Sequence, residues 1–558
     1  MLAADVRLDE PDALARSLNR APSDDDALLL AAVSRWGAEA PRHVLGDYAF
    51  AAWDVKTRTL LCARDALGVR PLVYLHQPER LFAFASLPRA IHGADLIARR
   101  LDETALARRI MLTRRADDTL CQDVRRLPAA HVLEVSAGGV SVRPYWQLSR
   151  ERAGTRRIAP EEAAQELRRL IDEAVRCRLP ADGPVAAHLS GGLDSSAIAI
   201  LAARRLRADH RAFLTYSFLA RQSDGTPTED ETPFVGAVRT QEPDLAWMPI
   251  HAPPFDRGLA ARMDVDRLLS IEADDPENAI CAHAAAQGAH VVLSGWGGDE
   301  GPTFNGRGAL AEGFLRGRWR YVAAELSALH RTRSWSFTAI CRGEILSYLI
   351  PQPLMNAQRR LRRRPVSFVD QLCPLVASAR AASLGGSDLE TLGMGPDARE
   401  NQMRLLSSPH LAERTENWAS IGARYGMAFA FPMLDRRVLE FAVSLPSALF
   451  LRGGYRRRVF RDAMEGVLPE AIRWRHQKLM PLPDLLTMAA GHRDEILQYL
   501  DAVADHSRVR TLFDLDGVRA VAASLPSPDA VRAGTADVTG LIVVLHFLPA
   551  IAYLEQHY

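Results

Sequence analysis

Two stretches of this chain carry the residue types needed for phosphate chemistry. The first is "HLSGGLDSSAIAI", His188 to Ile200. It places Ser190, Gly191, Gly192, Asp194, Ser195 and Ser196 between the apolar runs "PVAAHL" and "AIAILAA". A strand that ends in glycines and turns directly into a helix leaves backbone N–H groups at the helix N-terminus, and such groups bind phosphate. Gly191 and Gly192 admit close approach of the anion, and the serines add hydroxyl donors. Asp194 fits beside polyphosphate only with a cation between them, and Mg²⁺ is the usual one. The second stretch, "VVLSGWGGDEG" (Val291 to Gly301), repeats the design and ends in Asp299 and Glu300. Asp194 and Asp299 are therefore the candidate metal ligands. There is no Walker A sequence. A serine-capped turn accounts for S-G-G alone far better than for the whole S-G-G-L-D-S-S run.

These motifs need a scaffold, and the chain has length for one. Its 558 residues suffice for two to four domains. Hydrophobic residues make up 48% and charged residues 25%, the composition of an ordinary soluble enzyme. A net charge of +1 gives no global field for nucleic acid or an anionic membrane. Six cysteines lie far apart, without metal-ligand or thioredoxin spacing, which predicts reduced core thiols and a cytoplasmic protein. No continuous apolar run approaches membrane-spanning length, and the charged N-terminus is not a signal peptide.

Residues 1–150 favour short strands and turns, as in "GDYAFAAWD", "LLCARD", "VYLH" and "LFAFAS". A polar stretch at 149–160 reads as a linker. Beyond it the period changes. Pro160 opens a helix with Leu167, Leu170, Ile171 and Ala174 on one face. "PVAAHL", "AFLTYSF" and "HVVLSG" then alternate with helical stretches, which predicts a parallel sheet with crossover helices. Two Gly-rich strand ends in such a sheet converge at its carboxyl edge. The last third is mostly helical.

"SGGLDSS" resembles the pyrophosphatase loop of the N-type ATP pyrophosphatases. With "LSGWGGDE", "FPMLDRRVLEFAVSLP" and "LPEAIRWRHQK", the chain resembles the asparagine synthetase superfamily, and residues 44–74 are similar to that family's glutaminase domain. The resemblance covers nearly the whole chain. It implies an α/β protein in which a degenerate, Ntn-type glutaminase-like α+β sandwich over 1–150 precedes a parallel-sheet, adenine-nucleotide α-hydrolase-like synthetase domain over 160–558. It also implies ATP and Mg²⁺, an acyl-adenylate, and attack by nitrogen. The nucleotide-binding set becomes Leu189, Ser190, Gly191, Gly192, Asp194, Ser195, Ser196, Ser217, Gly295 and Arg457, with metal on Asp194 and Asp299.

Three departures from asparagine synthetase redirect the expectation. The family's glutaminase uses an N-terminal cysteine, whereas this sequence opens Met1-Leu2-Ala3 and its first cysteine is Cys62; the opening strands of that fold also look missing. Amine nitrogen should therefore come from the substrate. The family's glutamate four residues before Pro432 is Ala428, while Glu416, sixteen residues before it, matches the spacing of the β-lactam synthetase glutamate. The tyrosine partner of that glutamate corresponds here to Trp296. Residues 294–320 and 408–437 resemble lasso-peptide macrolactam cyclases. On this reading Glu416 is the base and Lys478 balances charge on the adenylate and departing pyrophosphate. The substrate is a precursor peptide whose Asp or Glu side chain is joined to its own N-terminal amine. A leader peptidase and a leader-binding protein are further partners, and nucleic acid is not. The alternatives are an asparagine synthetase-like or β-lactam synthetase-like ligase for a small amino acid, and a non-catalytic peptide-binding homologue. His188 reads as a packed residue. The basic run at 359–365 reads as a solvated face sooner than as a seat for an acidic peptide.

Overall fold

The computed structural model describes residues 1–111, 113–219, 231–251, 275–362, 375–383, 394–476, 483–533 and 535–558. In the N-terminal lobe, strands β1 (Leu2–Leu8), β2 (Gly46–Asp54), β3 (Thr59–Arg64), β4 (Val73–Gln77), β5 (Leu81–Ala85), β6 (Val124–Arg126), β7 (His131–Ser136) and β8 (Gly139–Pro144) form two antiparallel sheets. One has the order β1-β2-β3-β7-β8 and the other β5-β4-β6. The run Asp47–Ala52 in β2 is buried at every position instead of alternating. One face of its sheet packs on helical residues such as Leu14, Leu28 and Leu29, and the other on Leu72, Leu127 and the second sheet.

After a polar connection, the helix Pro160–Arg176 starts with proline in its first turn and buries Leu167, Leu170, Ile171 and Ala174. Strands β9 (Val185–His188), β10 (Phe213–Leu219), β11 (Ala246–His251), β12 (Val291–Leu293) and β13 (Ala428–Ala430) then build a parallel sheet of order β11-β10-β9-β12-β13. The chain runs outward from β9 through β10 and β11, then returns to place β12 on the other side of β9. The strand order therefore reverses between β9 and β12, where open α/β sheets bind ligands at their carboxyl edge.

Helices dominate the C-terminal part, and its core is shared. Leu106, Ile110 and Met111 of the N-terminal lobe lie in one cluster with Leu541, Val544, Leu545 and Leu548. Those four leucine and valine side chains come from the helix Thr539–His557, the one described helix long and apolar enough to cross a bilayer. Of that stretch, 72% is buried inside the protein, as in a core helix. His546 and Pro549 interrupt its apolar run, so it does not read as a continuous hydrophobic stretch in sequence.

Candidate active site

The loop after β9 is built around its glycines. Gly191 has φ +72°, and a Cβ there would lie 3.0 Å from the Phe234 side chain. Gly192 caps the helix Leu193–Ala208, with Asp194 in its first turn. The Ser190 N–H donates to Ser195 Oγ at 3.1 Å, the two hydroxyls meet at 2.8 Å, and the Gly192 N–H donates to Ser190 Oγ at 3.4 Å. Arg475 donates to Gly191 O at 3.1 Å and pairs with Glu231. The loop after β12 presses directly on this turn. A Cβ on Gly295 would sit 2.6 Å from the Ser195 nitrogen, and one on Gly298 would sit 2.3 Å from Asp194 Oδ1. Only glycine lets the two loops touch at Asp194.

Both loops open into a cavity of about 470 Å³, within the range of small-molecule sites. Among the described residues, six arginines reach its wall: Arg333, Arg414, Arg456, Arg457, Arg461 and Arg475. They face four carboxylates, Asp194, Glu277, Asp299 and Glu300. Arg457 pairs with Asp299 at 2.6 Å and Arg456 with Glu344 at 2.5 Å. Burial, with repulsion from Arg457 and Arg333, pushes Arg461 down to about 10. Burial and Arg456 lower Arg333, and burial with Arg333 and Arg461 lowers His476. Mutually repelling cations beside a helix N-terminus form a site for a polyanion.

The residues expected from sequence divide into groups. Ser190, Gly192, Asp194, Ser195, Gly295, Asp299 and Arg457 line the cavity. Gly191 lies just behind, offering its carbonyl to Arg475. Ser196 is fully buried and does not line the cavity, so it is no phosphate donor in this arrangement. Leu189 is a buried core residue whose carbonyl accepts the Ser217 hydroxyl. Ser217 also accepts the Trp247 indole N–H at 2.8 Å, so its hydroxyl is engaged behind the strand ends. Lys478 lies outside the described residues.

Glu416, the base expected from sequence, does not reach the cavity. Glu416 is on the helix His410–Ala423, buried and off the cavity wall. Its Oε1 is 2.6 Å from Arg64 Nη2 and its Oε2 is 2.7 Å from Arg126 Nε. Both arginines belong to the N-terminal lobe. The same helix instead offers the cavity Arg414 and Trp418, two residues to either side, because a helix turns about 100° per residue. The guanidinium of Arg414 lies 4.7 Å from the Trp418 ring centroid and 5.7 Å from that of Trp296.

Asp194 and Asp299 offer hard oxygen donors from two touching loops beside an anion site, and this donor set suits Mg²⁺. Another group, Asp9, Cys177 and Asp435, also has metal-like spacing. There Arg178 lies 2.8 Å from Asp435 and 3.4 Å from Asp9, and Arg437 lies 2.8 Å from Asp435. The cation positions at that group are thus taken by guanidiniums.

His188, expected as a packed residue, lies on the cavity wall, together with Glu277, which the sequence did not single out. The ring of His188 ends β9 with Nε2 3.0 Å from Glu277 Oε2 and Nδ1 3.2 Å from Ser294 Oγ. Glu277 comes from the helix Asp275–Ala286 and carries no motif that would single it out. The arginines had a signal, since Arg456, Arg457 and Arg461 fall in "YRRRVFR" and Arg475 in "WRHQK".

Residues 166–545 match the family model described as asparagine synthase, and residues 13–146 match that of a glutamine amidotransferase domain. "Asparagine synthetase [glutamine-hydrolyzing] 3" of Bacillus subtilis is 33% identical over 205 residues, 36% of this chain and 33% of that protein. "Amidase chyE" of Penicillium rubens is 26% identical over 309 residues, 52% of this chain and 44% of that one. A "Putative asparagine synthetase [glutamine-hydrolyzing]" of Mycobacterium tuberculosis is 25% identical over 518 residues, 89% of this chain and 76% of that one. The chain thus spans less than half the length of the first two relatives.

Proposed function

Because the chain belongs to the asparagine synthase family, we propose that it is an ATP-dependent carbon–nitrogen ligase. A substrate carboxylate attacks the α-phosphorus of ATP, pyrophosphate departs, and an amine displaces AMP from the acyl-adenylate. The observation that carries this reading is the meeting of two glycine loops on Asp194 at the sheet's switch point, facing a wall of arginines. The helix N-terminus at Gly192 and the Ser190 and Ser195 hydroxyls hold phosphate. Arg457 and Arg461 balance the charge that develops on pyrophosphate. Mg²⁺, when bound by Asp194 and Asp299, supplies further neutralisation of phosphate charge.

Two substrates suit this chemistry. The names of the relatives favour a small amino acid, as in an asparagine synthetase-like ligase. The narrower reading is a macrolactam synthetase that joins an Asp or Glu side chain of a precursor peptide to the peptide's own N-terminus. It is supported by the lasso-cyclase-like sequence around Asn305-Gly306-Arg307-Gly308, of which Asn305 borders the cavity. A leader peptidase and leader-binding protein belong with this narrower reading, as does a cytoplasmic setting.

The test is ATP–pyrophosphate exchange by the purified chain, with L-aspartate and with a linear peptide bearing a free N-terminal glycine and one internal Asp or Glu. Exchange with either supports the ligase, and loss of one water from the peptide by mass spectrometry selects the macrolactam reading. Asp194→Asn should reduce exchange by roughly 100-fold or more. Undiminished exchange in that variant overturns the site.

A further inference from the structure

With Glu416 held between two arginines of the other lobe, the amine lacks a base at the position expected for one. An ammonium group cannot attack, and a peptide α-amine, with a pKa of about 7.7–8.0, is largely protonated at neutral pH. We propose that Glu277, oriented by His188, takes that proton; the assignment rests on the ligase reading above.

Among the described residues, four carboxylates reach the cavity. Asp194 is enclosed by the second glycine loop, Asp299 pairs with Arg457, and Glu300 meets His410 at 3.1 Å. Glu277, like Glu300, is paired with an imidazole, but its partner His188 is engaged at both ring nitrogens and ends the strand that leads into the phosphate loop. An ionised Glu277 carboxylate can only accept, so His188 donates its Nε2 hydrogen to Glu277 Oε2. The neutral ring then accepts the Ser294 hydroxyl at Nδ1, and Ser294 Oγ also accepts the Trp296 backbone N–H at 3.2 Å. Both ring nitrogens are engaged, so His188 is a positioning residue and the carboxylate is the group that accepts protons. His188 is further fixed by the Trp418 ring, edge-on at 5.4 Å. It stands two residues before Ser190, so Glu277 borders the turn where the adenylate forms.

The step balances as follows. One proton of the ammonium passes to a Glu277 oxygen. The freed nitrogen lone pair forms the C–N bond at the adenylate carbonyl. The bond from that carbon to the AMP phosphate oxygen then breaks, and its electron pair leaves on AMP. The second nitrogen proton departs to AMP or water as the tetrahedral intermediate collapses.

The experiment separates activation from amide formation. The carboxylate that gives the most exchange with wild-type protein, L-aspartate or the linear peptide, is used throughout. Hydroxylamine, which is unprotonated at neutral pH and needs no base, traps the adenylate as a hydroxamate. Glu277→Gln should keep exchange and hydroxamate formation within about threefold of wild type. It should lose amide formation from ammonium chloride, or from the peptide amine, by roughly 10²–10⁴-fold. Glu277→Asp, which keeps the carboxylate, should recover part of that loss. His188→Gln should show the same split with a smaller loss, where a merely structural defect would lower exchange as well. Amide formation at the wild-type rate in Glu277→Gln, or parallel loss of hydroxamate in both Glu277 variants, overturns the base and leaves the ligase standing. Absence of exchange with either carboxylate in wild type overturns both.

Discussion

Glu413 and Glu416 lie one turn apart on a single helix and both face inward to arginines from the N-terminal lobe. Glu413 meets Arg109, and Arg114 at 3.1 Å, while Glu416 lies between Arg64 and Arg126. Arg64 is fully buried and spends its remaining donors on the carbonyls of Gly68, Arg70 and Leu127. Removing one member of a buried charge group leaves the others uncompensated, at a cost of about 3–5 kcal/mol. Glu416→Gln should therefore lower the unfolding midpoint in thermal or urea denaturation. In the folded fraction, the ratio of amide formed to pyrophosphate released should match wild type. A changed ratio at normal stability would return Glu416 to the chemistry. In sequence, Glu416 could not be told from a catalytic glutamate, because its spacing to Pro432 suits both roles. Its partners stand some three hundred residues away, where no local pattern points to them.

At the scale of elements, strand–glycine–helix was the most legible part of the chain. Local composition determines it: "PVAAHL" is an apolar run short enough for a buried strand, and the next sixteen residues after the glycines form a helix as expected. The contact between the two loops was less legible, because it depends on β9 and β12 being neighbours. Gly298 registers that contact. A methyl there would meet the Asp194 carboxylate, and a displacement of about 1 Å at a reacting site can cost roughly 10²-fold in rate. Gly298→Ala should thus lower pyrophosphate exchange by about that factor with little change in unfolding midpoint. Gly236, in the helix Thr232–Gln241, has ordinary helical backbone, and a methyl group added there would meet nothing within 4 Å. Gly236→Ala should leave exchange alone and stabilise the protein by about 0.4–1 kcal/mol. Equal effects of the two substitutions on exchange would mean that the loop contact is incidental.

For the molecule as a whole, the lobes are joined through charge, and that joint responds to acid. Arg7, Asp9 and Asp47 of the first lobe interlock with Arg178, Asp435 and Arg437 of the second. Burial works against ionisation of Asp47, Asp435 and Glu413, but their arginines outweigh it and hold all three carboxyls below the usual range. Carboxyls depressed in the fold stabilise it above their unfolded pKa of about 4, and that stabilisation is lost as pH falls further. His546 acts in a higher window. Burial, with Arg109 nearby, pushes it down to about 4 while its Nε2 meets Ile110 O at 3.1 Å. The unfolded chain binds this proton more readily, so stability falls as pH drops from about 6.5 to 4, by about 3 kcal/mol at most. Asp65 opposes it, because burial raises that carboxyl to about 6 and the folded chain binds its proton first. Unfolding midpoints should therefore collapse below about pH 4, and His546→Gln should gain stability relative to wild type as pH falls from about 7 to 4.5. A difference between variant and wild type that does not change with pH would remove His546 from the linkage.

The core shared by residues 106–111 and the last long helix has a consequence in time. During synthesis, Ile110 leaves the ribosome 436 residues ahead of His546. At about 5–20 residues per second, that is an interval of roughly 20–90 s. Until it ends, Leu106, Ile110 and Met111 lack part of their native cover, because Leu541, Val544, Leu545 and Leu548 have yet to be made. The N-terminal lobe therefore cannot finish folding in order of emergence. It waits for the helix Thr539–His557, and in the cell this waiting surface is the one a chaperone would have to shield.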